Sequence, residues 1–99
     1  MKAAFITEPG PVENLVFGEL PNPEPGAGQV LVRVRAASVN RVDVFTREGS
    51  HGTRARPQHV PGLDLAGDVV GRGIDAARFE VGARVMGTGA GGTYAELTV

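Results

Sequence analysis

Asn40 and Asp43 are the side chains of this 99-residue sequence whose types and spacing best suit chemistry. They lie three positions apart in Ser38-Val39-Asn40-Arg41-Val42-Asp43, between a run that alternates like a strand and a run that reads as a short helix. An asparagine amide held there can donate its N–H₂ to a carbonyl oxygen. The same pair also answers a structural demand. Asn40 suits an N-cap, and Asp43 at the third helical position supplies the Asx variant of a capping box. Val39 and Val44 are spaced to form a hydrophobic staple across it. Cap and substrate site both stand as readings, and a capped asparagine can still present its amide to a ligand.

Other patterns that suggest chemistry dissolve on inspection. Gly87-Thr88-Gly89-Ala90-Gly91-Gly92 satisfies the string G-x-G-x-x-G. A dinucleotide fingerprint needs a helix N-terminus behind it to hold the pyrophosphate. Here Thr93-Tyr94-Ala95-Glu96-Leu97 follows, which alternates as a strand. Gly71-Arg72-Gly73 reads as a turn. His51 and His59 fall in a polar loop with no carboxylate at ligand spacing. Ser38 and Ser50 have no evident base, and there is no G-x-S-x-G, H-E-x-x-H or phosphate loop. The sequence has no cysteine, which excludes disulfides and every thiolate metal site.

The elements that must position Asn40 and Asp43 follow from periodicity. In Gln29–Arg35, Val30, Val32 and Val34 share one face and Leu31, Arg33 and Arg35 the other, the period of a half-buried strand. A helix over 40–48 follows, with Gly49 as its stop. Strands are expected at Lys2–Thr7, Leu15–Leu20, Leu63–Gly73 (Leu63, Leu65 and Val69 on one face), Ala83–Met86 and Thr93–Val99. Pro21 to Gly28 is extended but cannot be a central strand, because proline lacks the ladder N–H. Gly49–Pro61 and Gly87–Gly92 read as loop. The sum is mostly antiparallel β with one short helix, and such sheets manage their edges by closing or nearly closing.

Totals narrow the function classes. Lys plus Arg number 10 against 11 for Asp plus Glu, so there is no electrostatic case for nucleic acid or an anionic membrane as partner. Arg33, Arg35, Arg41 and Arg47 read as a solvated edge. No apolar run approaches the ~20 residues that would span a bilayer. MKAAFITEPG lacks the apolar core of a signal peptide. Together with the absent cysteines this fits a cytoplasmic enzyme.

Five ordered blocks resemble one family. MKAAFITEPG, VLVRVRAASVNRVDVFTREG, VPGLDLAGDVVGRG, FEVGARVMG and GGTYAELTV are similar to successive segments of the catalytic domain of the medium-chain dehydrogenase/reductase superfamily. Within it the likeness is to the zinc-free quinone oxidoreductase branch, the relatives of zeta-crystallin. The resemblance implies a GroES-like, partly open β-barrel with its helix near 40–48. It also implies that residues 1–99 are the N-terminal catalytic domain, a fragment or module whose nucleotide-binding domain lies elsewhere.

Where the family's zinc enzymes resemble G-x-C-H-x-D and G-H-E, this sequence has Asn40 for the cysteine and Leu63 for the histidine. Neither replaces a zinc ligand. The resemblance further implies NADPH-dependent hydride transfer to a quinone or an activated alkene. Asn40 and Asp43 then stand as catalytic candidates, and Asn40, Phe45 and Asp64 border substrate and cofactor. Phe45 departs from a tyrosine common in the branch, keeping a stacking ring without the hydroxyl. Asp64 is expected to brace the site wall. The family implies a homodimer for the full-length protein, with this part inactive alone. A stand-alone co-chaperonin-like module and an enoyl reductase of the same superfamily are the alternative readings.

Overall fold

Alternation in the apolar runs becomes pairing in space. The computed structural model describes residues 1–51, 56–90 and 92–99. Two sheets form among them. β1 (Lys2–Ile6) pairs antiparallel with β2 (Leu15–Glu19), joined through a 3-10 turn at Val12–Asn14 that the sequence pattern did not suggest. The larger sheet has the order β5-β4-β3-β6, built from β3 (Val30–Ala37), β4 (Asp64–Arg72), β5 (Arg84–Thr88) and β6 (Leu97–Thr98). All its neighbours run antiparallel. α1 (Arg41–Glu48) is the one α-helix among the described residues, as expected. The fold is mostly β and the sheets do not close.

β3 and β4 form the spine. Val32, Leu65 and Val69 make the core between them, with Val30, Val34, Phe79, Ala83 and Val85 packed against it. The valine face of β3 is therefore the inner one, and Arg33 and Arg35 are exposed. Backbone bridges from Ala3 to Ala95 and from Ile6 to His59 dock β1 onto the loops beside the larger sheet. Ile6 is fully buried there.

Several expectations shift. β4 begins at Asp64, which leaves Leu63 outside the strand and 42% exposed. It also runs through Gly71 and Arg72, which pair with Leu31 and Val30, so the turn comes later, at Ile74 and Asp75. β5 extends to Thr88, shortening the glycine turn. The last strand contracts to Leu97–Thr98; ahead of it Thr93, Tyr94 and Glu96 bond to Pro61, Ala4 and Lys2, with Glu96 also accepting from Val34 of β3. The staple is not a buried contact: Val39 is 80% exposed. Part of the loop expected over 49–61 lies outside the described residues.

Candidate functional site

The site lies where β3 ends, α1 begins and β4 starts. Asn40 is extended at φ −115°, ψ 155° and caps α1, while Gly49 closes it in the left-handed conformation. The capping box forms. Its short member is the Asn40 N–H, which donates to Asp43 Oδ2 at 2.8 Å. The Asp43 N–H points mainly at the Asn40 backbone carbonyl, 3.0 Å away, and only loosely at the side chain. The amide nitrogen of Asn40 points away from the helix.

It looks toward β4. Asn40 Nδ2 donates to Asp64 Oδ2 at 2.8 Å and to Ser38 Oγ at 3.1 Å. Ser38 Oγ in turn donates to Asp64 Oδ2 at 3.0 Å. An ionised carboxylate only accepts, so Asp64 fixes which end of the amide is nitrogen. The three side chains close a triangle in which both amide protons of Asn40 are spent inside the chain. The N–H₂ expected to reach a substrate carbonyl is already committed; Oδ1 is the atom that retains accepting capacity. Ser38 has a carboxylate neighbour but no imidazole beside it, so it is not an activated nucleophile.

Asp43 is 7% exposed and is held from a second direction. Tyr94, far along the sequence, donates its hydroxyl to Asp43 Oδ2 at 2.7 Å. Burial, with the hydrogen bond and charge of Asp43, pushes the phenol up to about 12. Tyr94 was not among the candidates read from the sequence; its place in an alternating run made it look like one more strand residue.

Phe45 sits on α1 with His51 stacked on it, ring centroids 4.0 Å apart, and the Arg41 guanidinium 5.8 Å from its centroid. A stacking wall exists, but its faces are occupied from within the chain. A cavity of about 210 Å³ lies beside this corner, lined by Val42, Asp43, Thr46, His59 and Leu63 among others. His59, expected as a surface loop residue, is half-buried at its edge, and burial lowers its pKa from the ordinary histidine value. A larger apolar cavity of about 280 Å³ lies between β4, β5 and the chain's last residues and includes none of Asn40, Asp43, Phe45 or Asp64.

The structure thus brings Asn40, Asp43 and Asp64 into one network and leaves Phe45 on the next turn of the helix. Among the described residues, no three histidine or acidic side chains gather to hold a metal. Gly89, Gly92 and their described neighbours lead into no helix, so that string offers no pyrophosphate cradle.

Comparison with known proteins gives concordant matches. The model for the alcohol dehydrogenase GroES-like domain matches residues 26–99. A quinone oxidoreductase from Lama guanicoe is 37% identical over 101 residues, spanning 100% of this chain and 31% of that protein. The solved quinone oxidoreductase from Coxiella burnetii superposes with a TM-score of 0.85 at 31% identity, over 99% of this chain and 33% of that one. A mycobacterial protein solved in complex with NADPH gives a TM-score of 0.88 at 35% identity, over 99% of this chain and 30% of that one. The chain spans about a third of the length of these relatives.

Proposed function

The chain belongs to the alcohol dehydrogenase GroES-like domain family, in the quinone oxidoreductase branch of the medium-chain dehydrogenases and reductases, and from that premise we propose that it forms the substrate-side wall of an NADPH-dependent, zinc-independent reductase of quinones or activated alkenes. The observation that carries this reading is the locked polar corner at the start of α1. In it Asn40 and Leu63 occupy the positions where the resembled zinc enzymes hold metal ligands, and Asn40 is instead pinned by Asp64 and Ser38.

The residues present fit one side of a nicotinamide pocket and not a whole one. The Asn40 amide oxygen is turned toward the Asp43 N–H and keeps a second lone pair; Asn40 does not itself line the neighbouring cavity, whose wall includes Val42, Asp43 and Leu63. An acceptor there suits an N–H or O–H donor, such as the nicotinamide carboxamide, better than a carbonyl oxygen. Phe45 contributes bulk and the exclusion of water, with its ring held by His51. Asp64 and Asp43 keep the amide and the helix start from rotating. The nicotinamide, when bound, supplies the hydride. Among the described residues no group is poised as a general acid. The pyrophosphate requires a helix N-terminus that a second domain would supply.

The decisive measurement is NADPH oxidation by the full-length protein in the presence of a quinone series and an enone series. Quinone-dependent turnover is expected. Asn40→Ser should keep the helix capped, since serine caps as well as asparagine, while changing turnover. Failure of every quinone and enone to oxidise NADPH would sink the reading. Unchanged turnover in Asn40→Ser would leave Asn40 with the cap alone.

A further inference from the structure

We propose that Tyr94 is a positioning residue of this site, holding the Asn40 end of the helix in place through Asp43; the inference rests on the reading of Asn40 as a ligand-facing residue. Tyr94 lies 51 positions from Asp43, yet its hydroxyl donates to Asp43 Oδ2 at 2.7 Å. The same oxygen accepts the Asn40 backbone N–H at 2.8 Å. A single buried carboxylate oxygen therefore couples the tyrosine to the residue at the helix start.

The tyrosine is itself seated on fixed backbone. Its N–H donates to the Pro61 carbonyl at 3.1 Å, and its carbonyl accepts from the Ala4 N–H at 2.8 Å. Its ring lies against Gly62. A Cβ on Gly62 would stand 2.6 Å from the ring's Cδ1, and Gly62 has φ +98°, so glycine is required there on both counts. Two residues further on, Asp64 accepts from Asn40 Nδ2 at 2.8 Å. The contacts thus form a closed circuit from Asn40 through Asp43 and Tyr94 to Gly62, along the chain to Asp64, and back to Asn40.

The circuit restrains Asn40 twice. Asp64 and Ser38 set the plane of its amide; Asp43, backed by Tyr94, sets its backbone. Removing the hydroxyl would leave Asp43 with one anchor and let the helix start shift while the triangle with Asp64 stays made. Supporting groups that orient a contacting residue act this way, through the precision of its placement. Because the phenol holds its proton far into the alkaline range, it remains a donor at any working pH.

The test compares the full-length protein with Tyr94→Phe, Asn40→Ala and the double variant, using NADPH and menadione as probes. Tyr94→Phe keeps the ring and its seat against Gly62. Its kcat should fall about tenfold, as removing an orienting partner commonly costs, with KM for the quinone within about twofold. The double variant should turn over no more slowly than Asn40→Ala alone. Unchanged kcat in Tyr94→Phe, or losses that multiply in the double variant, would overturn the proposal.

A second readout is independent of turnover. Hydrogen exchange at the Asn40 backbone amide should quicken in Tyr94→Phe. Unchanged exchange in Tyr94→Phe would also overturn the proposal. A full-length protein that oxidises no NADPH while this exchange still quickens would remove the reductase reading and leave Tyr94 as the restraint on Asn40.

Discussion

Asp43 Oδ2 takes two hydrogen bonds, from a backbone N–H and a phenol, on a side chain almost withdrawn from solvent. The consequence is measurable on Tyr94, the sequence's one tyrosine in a chain without tryptophan. Tyrosinate absorbance of residues 1–99 taken by themselves would report this one group. Its folded pKa is raised from 10.0 to about 12. The native state thus holds the proton where the unfolded chain releases it, and rising pH favours unfolding. The stability linked to this shift, which comes first from burial of the phenol and then from the bond to Asp43, is fully present below pH ~10 and is lost as pH rises through about 12. A spectrophotometric titration should give a midpoint well above 10, and Asp43→Asn should bring it down by removing the charge. A midpoint at the ordinary tyrosine value in the native protein would mean that the phenol is neither buried nor bonded to Asp43. The Asn40–Asp43 relation was legible in the sequence because capping is a local rule with a fixed spacing. The Tyr94 contact was not, since no periodicity links residues 51 positions apart. Neither was the commitment of both Asn40 amide protons, which depends on where β4 places Asp64.

The placement of Asp64 belongs to the β3–β4 pair. Alternation along Val30, Val32 and Val34 was enough to choose the buried face of β3, because a strand has only two faces. It could not reveal the register shifts between Leu31 and Val32 and between Val34 and Ala36, which arise in the pairing itself. These bulges set the end of β3 against the start of β4 and carry Ser38 to Asp64. Gly67 is the point of closest approach. It pairs with Val34, and a Cβ there would lie 2.2 Å from the Arg33 carbonyl oxygen and 2.7 Å from Val32 Cγ1. The first of these neighbours is backbone and cannot swing aside. Gly67→Ala should therefore part the strands and cost about 1–3 kcal/mol, the usual range for overpacking. In urea the midpoint should fall with little change in slope. A wild-type midpoint would show that the two strands slide at no cost, and the ladder could not then be what holds Asp64 in place. Arg35 and Asp68 also meet across this pair at 2.8 Å, but the arginine is mostly exposed and an ion pair there contributes about 0–1 kcal/mol. The ladder and the valine face, rather than that pair, align the two strands.

Taken as a whole, the molecule has distributed its polar groups in a way that decides how it can act on a substrate. The sequence has no cysteine, Leu63 stands beside Asp64, and among the described residues no group of three histidine or acidic side chains gathers at the corner. Asp64 Oδ2 already accepts from Ser38 and Asn40, so a metal at that oxygen would compete with the triangle that orients the amide. Polarising a carbonyl is the work a zinc ion does in such enzymes. Here it would fall to hydrogen bonds from outside this chain, since the donors at the corner are internally spent. On the proposed reading, quinone-dependent NADPH oxidation by the full-length protein should survive prolonged dialysis against EDTA, and added Zn²⁺ should not raise it. The thermal midpoint should be equally indifferent, because no part of the corner needs an ion to neutralise it: each carboxylate has its donors in place. Activity that vanishes with the chelator and returns with Zn²⁺ alone would require ligands from the remainder of the protein to reach Asp64. An ion seated on Oδ2 would cost Asn40 one of its two side-chain bonds. That rearrangement should itself be visible as a Zn²⁺-dependent change at the Asn40 side-chain amide resonance, which distinguishes a metal in this corner from one bound elsewhere in the enzyme.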